Sequence, residues 1–188
     1  MKKPFYLTTA IEYVNGIPHV GHAYEKIGAD IIARAMRLRG YDVVFQMGTD
    51  EHSTSVARKA AEQGMEPLAF CDMMVEKFVE AWRAVNLSYD VFIRTTEERH
   101  IKTVQGFLQR IHDNGDIYTG TYKGYYCPSC DRFYTEKDLI AKSDGRYCEI
   151  HDIPCEWIEE ENYFFRLGKY QQPLLEHIEA HPEFILPD

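Results

Sequence analysis

Pro18-His19-Val20-Gly21-His22 stands between a short apolar run and the start of a helical pattern. Upstream, Phe5 to Thr9 reads as a buried strand, and Ile11 to Pro18 as a loop with a turn signal at Asn15-Gly16. Downstream, from about His19 to Arg39, the apolar residues Ile27, Ile31, Ala35 and Leu38 recur at helical spacing until Gly40 ends the run. Val43 to Met47 reads as a second strand. Strand, helix and strand in that order predict a right-handed crossover between parallel strands, and so an α/β fold.

The position of the two histidines gives the unit a chemistry. A helix N-terminus presents free N–H groups and a partial positive charge, which suits phosphate. Imidazole N–H groups at His19 and His22 can add to it, and Gly21, with no Cβ, lets a flat ring approach the backbone. Taken alone, His-x-x-His equally suits two surface or capping histidines. Gly48-Thr49-Asp50-Glu51-His52 follows the second strand, and in open α/β sheets ligands sit outside such strand ends.

A helix is expected from Thr54 to Gln63, stopping at Gly64, and another from Pro67, with Phe70, Met74, Phe78, Ala81 and Val85 on its apolar face. Phe92 and Ile93 suggest a third strand. Thr95 and Glu98 suggest a capping box for a helix that runs to Asn114-Gly115 and buries Val104, Leu108 and Ile111. After Gly115 the character changes: Ile117 to Tyr126 is rich in Tyr, Thr and Gly, like a hairpin, and Glu156 to Glu161 is acidic. Tyr163 to Phe165 reads as a strand, with Leu174, Leu175 and Ile178 in a last helix. The expected division is residues 1–115 as an α/β layer and 116–188 as a small metal module.

With 188 residues the chain has room for one good core plus a small module. The net charge of −9 argues against broad, non-specific nucleic-acid binding. No apolar stretch reaches the roughly 20 residues of a membrane span. Met1 to Thr9 is too short and polar for a signal-peptide core, so a cytoplasmic protein without a membrane partner is expected.

Of five cysteines, Cys127 and Cys130 form C-x2-C, and after seventeen residues Cys148 and His151 form C-x2-H. Each two-residue gap lets one tight turn place two side chains on a single ion, and four such ligands suit a closed, structural zinc site. Such a zinc holds together a module too small for a core of its own. Cys155 is a rival for the fourth position. Cys71, in a predicted helix, reads as a small buried side chain.

In combination these segments resemble the N-terminal part of the methionyl-tRNA synthetase family. Tyr6 to Ile11 with Tyr13-Val14-Asn15 is similar to its first strand and methionine-pocket loop, and His19-Val20-Gly21-His22 to the class I signature HIGH. Gly48 to His52, Asp90 to His100, Tyr126 to Thr135 and Asn162 to Leu167 also fit, so the resemblance covers essentially the whole chain. It implies a Rossmann-type half-domain carrying an inserted connective-peptide module with a zinc knuckle. It also implies a two-step reaction: methionine and ATP, the latter with Mg2+, give methionyl-adenylate, and the methionyl group passes to tRNA(Met). On this likeness His19 and His22 stabilise phosphate charge, Gly21 makes room for adenine, and Asp50 pairs with the methionine ammonium group. Ala10, Ile11 and Tyr13 line the side-chain pocket, and Cys127, Cys130, Cys148 and His151 bind zinc.

The family's second signature, the lysine-rich KMSKS loop, is nowhere in the 188 residues, nor is the anticodon-reading helical domain. A piece of a longer enzyme, inactive by itself, is therefore expected, with possible self-association through an open sheet edge. The alternative is a natural short paralogue acting as a non-catalytic zinc- or nucleotide-binding module. A different HIGH-type nucleotidyltransferase is disfavoured by the knuckle and by Gly48 to His52. Smaller departures are Ser53, where the family usually has Gly, and Ala10 and Glu12, where it commonly has Pro and Tyr.

Overall fold

The computed structural model describes residues 2–130 and 132–185. Strand β1 (Pro4–Thr8) is followed by a two-residue strand β2 (Glu12–Tyr13), helix α1 (Val20–Leu38) and strand β3 (Asp42–Asp50). Helices α2 (Thr54–Glu62) and α3 (Pro67–Ala84) lead to strand β4 (Val91–Arg94) and helix α4 (Glu98–Asp113). The chain groups into two compact units. The first holds the residues up to Thr103 together with Pro128–Arg132, and the second holds Val104–Cys127 and the residues from Phe133 onward.

In the first unit β3 is the central strand, and β1, β2 and β4 all pair with it in parallel. The expected parallel α/β layer is present. Val43, Phe45, Met47 and Thr49 alternate along β3 and are all buried, the period of a strand with one face in the core. Helix α3 supplies the opposing side with Phe70, Met74, Phe78 and Trp82, spaced by four. The Phe78 and Trp82 rings meet edge-on at 5.9 Å. Truncating such a buried aromatic to alanine typically costs about 3–5 kcal/mol.

Three expectations about burial change. β1 is not a buried strand: Phe5 and Leu7 are half-buried while Tyr6 is exposed, because only one face of β1 meets the core. On α1 the periodic apolar residues Ile27, Ile31 and Leu38 face outward, Leu38 with 90% of its surface open. The buried stripe is Lys26, Ala29, Asp30 and Ala33. Small alanines let the helix lie close to the sheet, and the two charged residues are paired, which is what lets them be buried. α4 buries none of its side chains, so Val104, Leu108 and Ile111 are not core. Helical spacing decides which residues share a face, not whether anything covers it.

Polar latches fix the first unit's loops. Asp30 accepts from the Ser88 N–H at 2.7 Å and from the Arg34 Nε at 2.6 Å, and Asp90 accepts from the Phe45 N–H at 2.8 Å and from Arg37 at 2.6 Å. Gly48 is required by close approach: a Cβ there would stand 2.0 Å from the Ile93 carbonyl oxygen of β4. Thr95 does not cap α4. Its hydroxyl accepts from the Glu51 N–H at 2.9 Å, tying the end of β3 to the end of β4.

In the second unit, residues 117–126 do not form a hairpin. They lie in one long strand, β5 (Ile117–Cys127), flanked in its sheet by the short strand at Arg132–Tyr134 and, on its other edge, by a strand from much later in the chain. Short strands β6 (Arg132–Tyr134), β7 (Leu139–Lys142) and β8 (Gly145–Cys148) follow. β9 (Glu156–Phe165) then pairs antiparallel with β5 along its length, and α5 (Gln171–Ala180) comes last. The acidic run Glu156 to Glu161 is therefore strand, with Lys123 paired to Glu159 across the ladder at 2.7 Å. Among the described residues no helix is long and apolar enough to cross a membrane.

Candidate functional site

The N-terminus of α1 is built by the histidines themselves. His19 is the N-cap, with extended backbone. Its Nδ1 accepts from the Gly21 N–H at 3.1 Å, while the His22 Nδ1 accepts from the His19 N–H at 3.2 Å. This is a capping box made of two imidazoles, and it stacks their rings at 3.8 Å with 23° between planes. The capping expectation for the pair is met in this arrangement. With each Nδ1 occupied as an acceptor, a neutral ring carries its proton on Nε2. Burial, then the neighbouring His19 and Lys26, lowers the His22 pKa and favours that neutral form. The caps thus leave two Nε2–H donors beside a positive helix end. The flat ring that crowds Gly21 is His19's own: a Cβ at Gly21 would lie 2.9 Å from its Cε1.

Tyr13 and Asp50 are register partners on adjacent strands, as are Glu12 and Thr49. Ile11 and Tyr13 are partly open, and Asp50 is half-buried, its Oδ1 3.5 Å from the His52 N–H. The structure thus brings Tyr13 to Asp50, with Ala10 and Ile11 shortly before Tyr13 on the chain.

Spacing gave no hint of the polar groups that hold these residues. Lys26, wholly buried, donates to the Ala10 carbonyl at 2.6 Å and to Glu25 at 3.1 Å, and pairs with the buried carboxylate of Glu12. Burial raises the Glu12 pKa, and Lys26 offsets only part of that rise. Glu51 is the most fully bonded carboxylate among the described residues. It accepts from Arg94 at 2.7 and 3.0 Å, from Thr49 at 2.7 Å and from Thr96 at 2.5 Å. Burial alone would raise its pKa; those bonds together outweigh burial and hold it below the usual range. Arg94 also reaches Asp72 of α3 at 2.6 Å. Cys71 is buried beside this group, its thiol pushed up to about 11 by burial and then by Glu51, so it is inert. Ser53 caps α2, accepting from the Val56 N–H at 3.1 Å, and Asn15 reaches Ser55 at 3.0 Å. The departure from Gly at position 53 thus supplies a cap.

Cys127, Cys130, Cys148 and His151 bring one ligand atom each to within 4.8 Å of the others. Zinc–sulfur and zinc–nitrogen bonds are about 2.3 and 2.0 Å, so ligand atoms around one ion lie up to roughly 4 Å apart. Three thiols and an imidazole at these separations fit that ion with a small contraction. Cys155 is not a member of this group, and no cysteine is in a disulfide. Tyr134 closes one side, its hydroxyl 4.0 Å from the Cys148 sulfur.

A family model described as tRNA synthetases class I (M) matches residues 5–144. The chain belongs to that family. A Methionine–tRNA ligase of Thermotoga maritima is 50% identical over 184 residues, which is 98% of this chain and 29% of that protein. One from Thermosynechococcus vestitus is 48% identical over 188 residues, 100% of this chain and 35% of that protein. Among solved structures, Mycobacterium tuberculosis methionyl-tRNA synthetase in complex with methionyl-adenylate superposes with a TM-score of 0.92 at 43% identity, over 99% of this chain and 36% of that one. The chain thus spans about a third of the length of these family members.

Proposed function

We propose that this chain is the N-terminal catalytic part of a cytoplasmic methionine–tRNA ligase. The observation that carries the reading is the two-histidine capping box, which occupies each Nδ1 and leaves two Nε2–H donors at a helix N-terminus. It is supported by a structure of similar fold that holds methionyl-adenylate. In the proposed reaction a methionine carboxylate oxygen bonds to the α-phosphorus of ATP, supplied as its Mg2+ complex. The bond to the bridging oxygen breaks, and pyrophosphate leaves. Charge builds on the phosphate oxygens, and His19 and His22 stabilise it as neutral donors that need no reorientation. Gly21 serves twice, giving room to the His19 ring and leaving bare backbone for adenine. Asp50 takes the methionine ammonium, and Ala10, Ile11 and Tyr13 form one wall of the side-chain pocket. Catalysis is positioning and charge stabilisation, with no covalent enzyme intermediate. A 3′-terminal hydroxyl of tRNA(Met) then bonds to the methionyl carbonyl carbon, the bond to the adenylate phosphate breaks, and AMP leaves.

Residues 1–115 act as the first half of the Rossmann-type catalytic domain, and residues 116–188 as part of a connective-peptide module. Zinc on Cys127, Cys130, Cys148 and His151 would be structural: four protein ligands leave it no open position, and it supplies folding energy. The 188 residues contain no lysine-rich phosphate loop, so this chain alone does not sustain charging. The test is methionylation of tRNA(Met) by the complete gene product and by the isolated chain. Charging by the first and not the second is expected. Failure of the complete product to charge refutes the assignment; full turnover by the isolated chain refutes the inactivity.

A further inference from the structure

We propose that Lys26 and Glu25 are positioning residues that set the methionine pocket by clamping the backbone at Ala10, an inference that rests on the function proposed above. Two side chains that follow one another on α1 grip both polar groups of one residue. The Glu25 carboxylate accepts from the Ala10 N–H at 2.8 Å, and the Lys26 ammonium donates to the Ala10 carbonyl at 2.6 Å. Lys26 also bridges the two acids, pairing with Glu12 and bonding Glu25 at 3.1 Å. It is wholly buried, and the Glu12 side chain is nearly so. Each bond to a charged group is stronger than a neutral one, and burial shields the ammonium from water.

The placement matters because Ala10 immediately precedes Ile11, and Glu12 separates Ile11 from Tyr13. Both departures from the family pattern in this loop are held by the clamp. A proline at position 10 has no N–H to give Glu25. A tyrosine at position 12 has no carboxylate to pair with Lys26. Ala10, Glu12, Glu25 and Lys26 therefore form one coupled set. It fixes the backbone from which Ile11 and Tyr13 project, and Glu12, Glu25 and Lys26 act through that backbone.

The experiment is methionine-dependent ATP–pyrophosphate exchange by the complete gene product, with KM for methionine, KM for ATP and kcat measured separately. Lys26→Met is expected to raise KM for methionine about tenfold, and Glu25→Ala about threefold, with KM for ATP held within about twofold. The Glu25 side chain is 44% exposed, so its variant folds even if Lys26→Met does not. A purely structural role would instead lower kcat through the active fraction and leave both KM values alone. The double variant E12Q/K26M removes the buried unpaired charge. Its thermal stability is expected to return toward the parent while KM for methionine stays raised. The inference is overturned if Glu25→Ala leaves KM for methionine unchanged, or if that KM recovers together with stability in the double variant. A parent protein with no methionine-dependent exchange overturns the functional reading and this inference with it; a parent that exchanges normally while the variants keep its KM overturns the inference alone.

Discussion

Replacing Gly48 with alanine adds one methyl group where β3 lies against β4. The new Cβ would stand 2.0 Å from the Ile93 carbonyl oxygen, 2.5 Å from its Cγ2 and 2.9 Å from its carbonyl carbon. Two of these atoms are backbone, so no rotamer change relieves the contact. The strands must part by more than an ångström, at the register position where Gly48 faces Ile93. Overpacking costs about 1–3 kcal/mol, and a ladder hydrogen bond stretched out of range adds about 1 kcal/mol. The expected loss is about 3 kcal/mol. Gly28→Ala is the control: it lies in α1, and nothing stands within 4 Å of its added Cβ. There alanine's better helix propensity should stabilise by about 0.5–1 kcal/mol. Urea unfolding followed by fluorescence of the buried Trp82 measures both. A Gly48→Ala midpoint equal to the parent's, with an unchanged slope, would refute the close-approach argument.

Three further outcomes are expected. Purified protein should carry about one zinc per chain by elemental analysis, and stripping it with a chelator should melt the segment around Cys127 to His151; a metal-free chain of unchanged near-ultraviolet dichroism contradicts the knuckle. Glu51 is held below its ordinary carboxylate range, so its contribution is complete above the unfolded value of about 4.3 and lost as pH falls through the lower folded value. The melting temperature should drop in that acid window, and Glu51→Gln should flatten the drop while lowering stability at neutral pH; a parallel pH profile in the variant sinks the linkage. Ser53→Ala removes the cap of α2 and should cost about 1 kcal/mol in thermal or urea unfolding, whereas no change would show that the Val56 N–H finds another partner.

Much of the α/β layer was legible because its signals are local. The alternation from Val43 to Met47, the glycines after α1 and α2, and Pro67 at the start of α3 each act within a few residues. The Cys/His cluster was legible for the same reason: two pairs at fixed spacing need only two tight turns. Long-range partners left no such trace. Nothing near Ile117 to Tyr126 says that one of its two neighbours in the sheet begins at Glu156, and a Tyr- and Gly-rich run suits a hairpin equally well. The periodicity of α1 showed an apolar stripe, yet the sheet-facing side is Lys26, Ala29, Asp30 and Ala33. A lysine buried there becomes intelligible only once Glu12 and the Ala10 carbonyl are brought to it by the fold. The signal present was Glu12 itself, an acid within the apolar stretch Ala10 to Val14. The capping box of His19 and His22 was half legible. The spacing suggested caps or phosphate ligands as rivals, and the structure shows that capping through Nδ1 leaves Nε2 free to donate.

The most direct measurement of the central claim is ATP–pyrophosphate exchange by the complete gene product against each of the twenty amino acids, with His19→Ala and His22→Ala beside the parent. Exchange that depends on methionine, falling by a factor of about 100 or more in either variant without loss of fold, is the result this account requires. Exchange driven by another amino acid, or methionine exchange untouched by loss of both imidazoles, would contradict it.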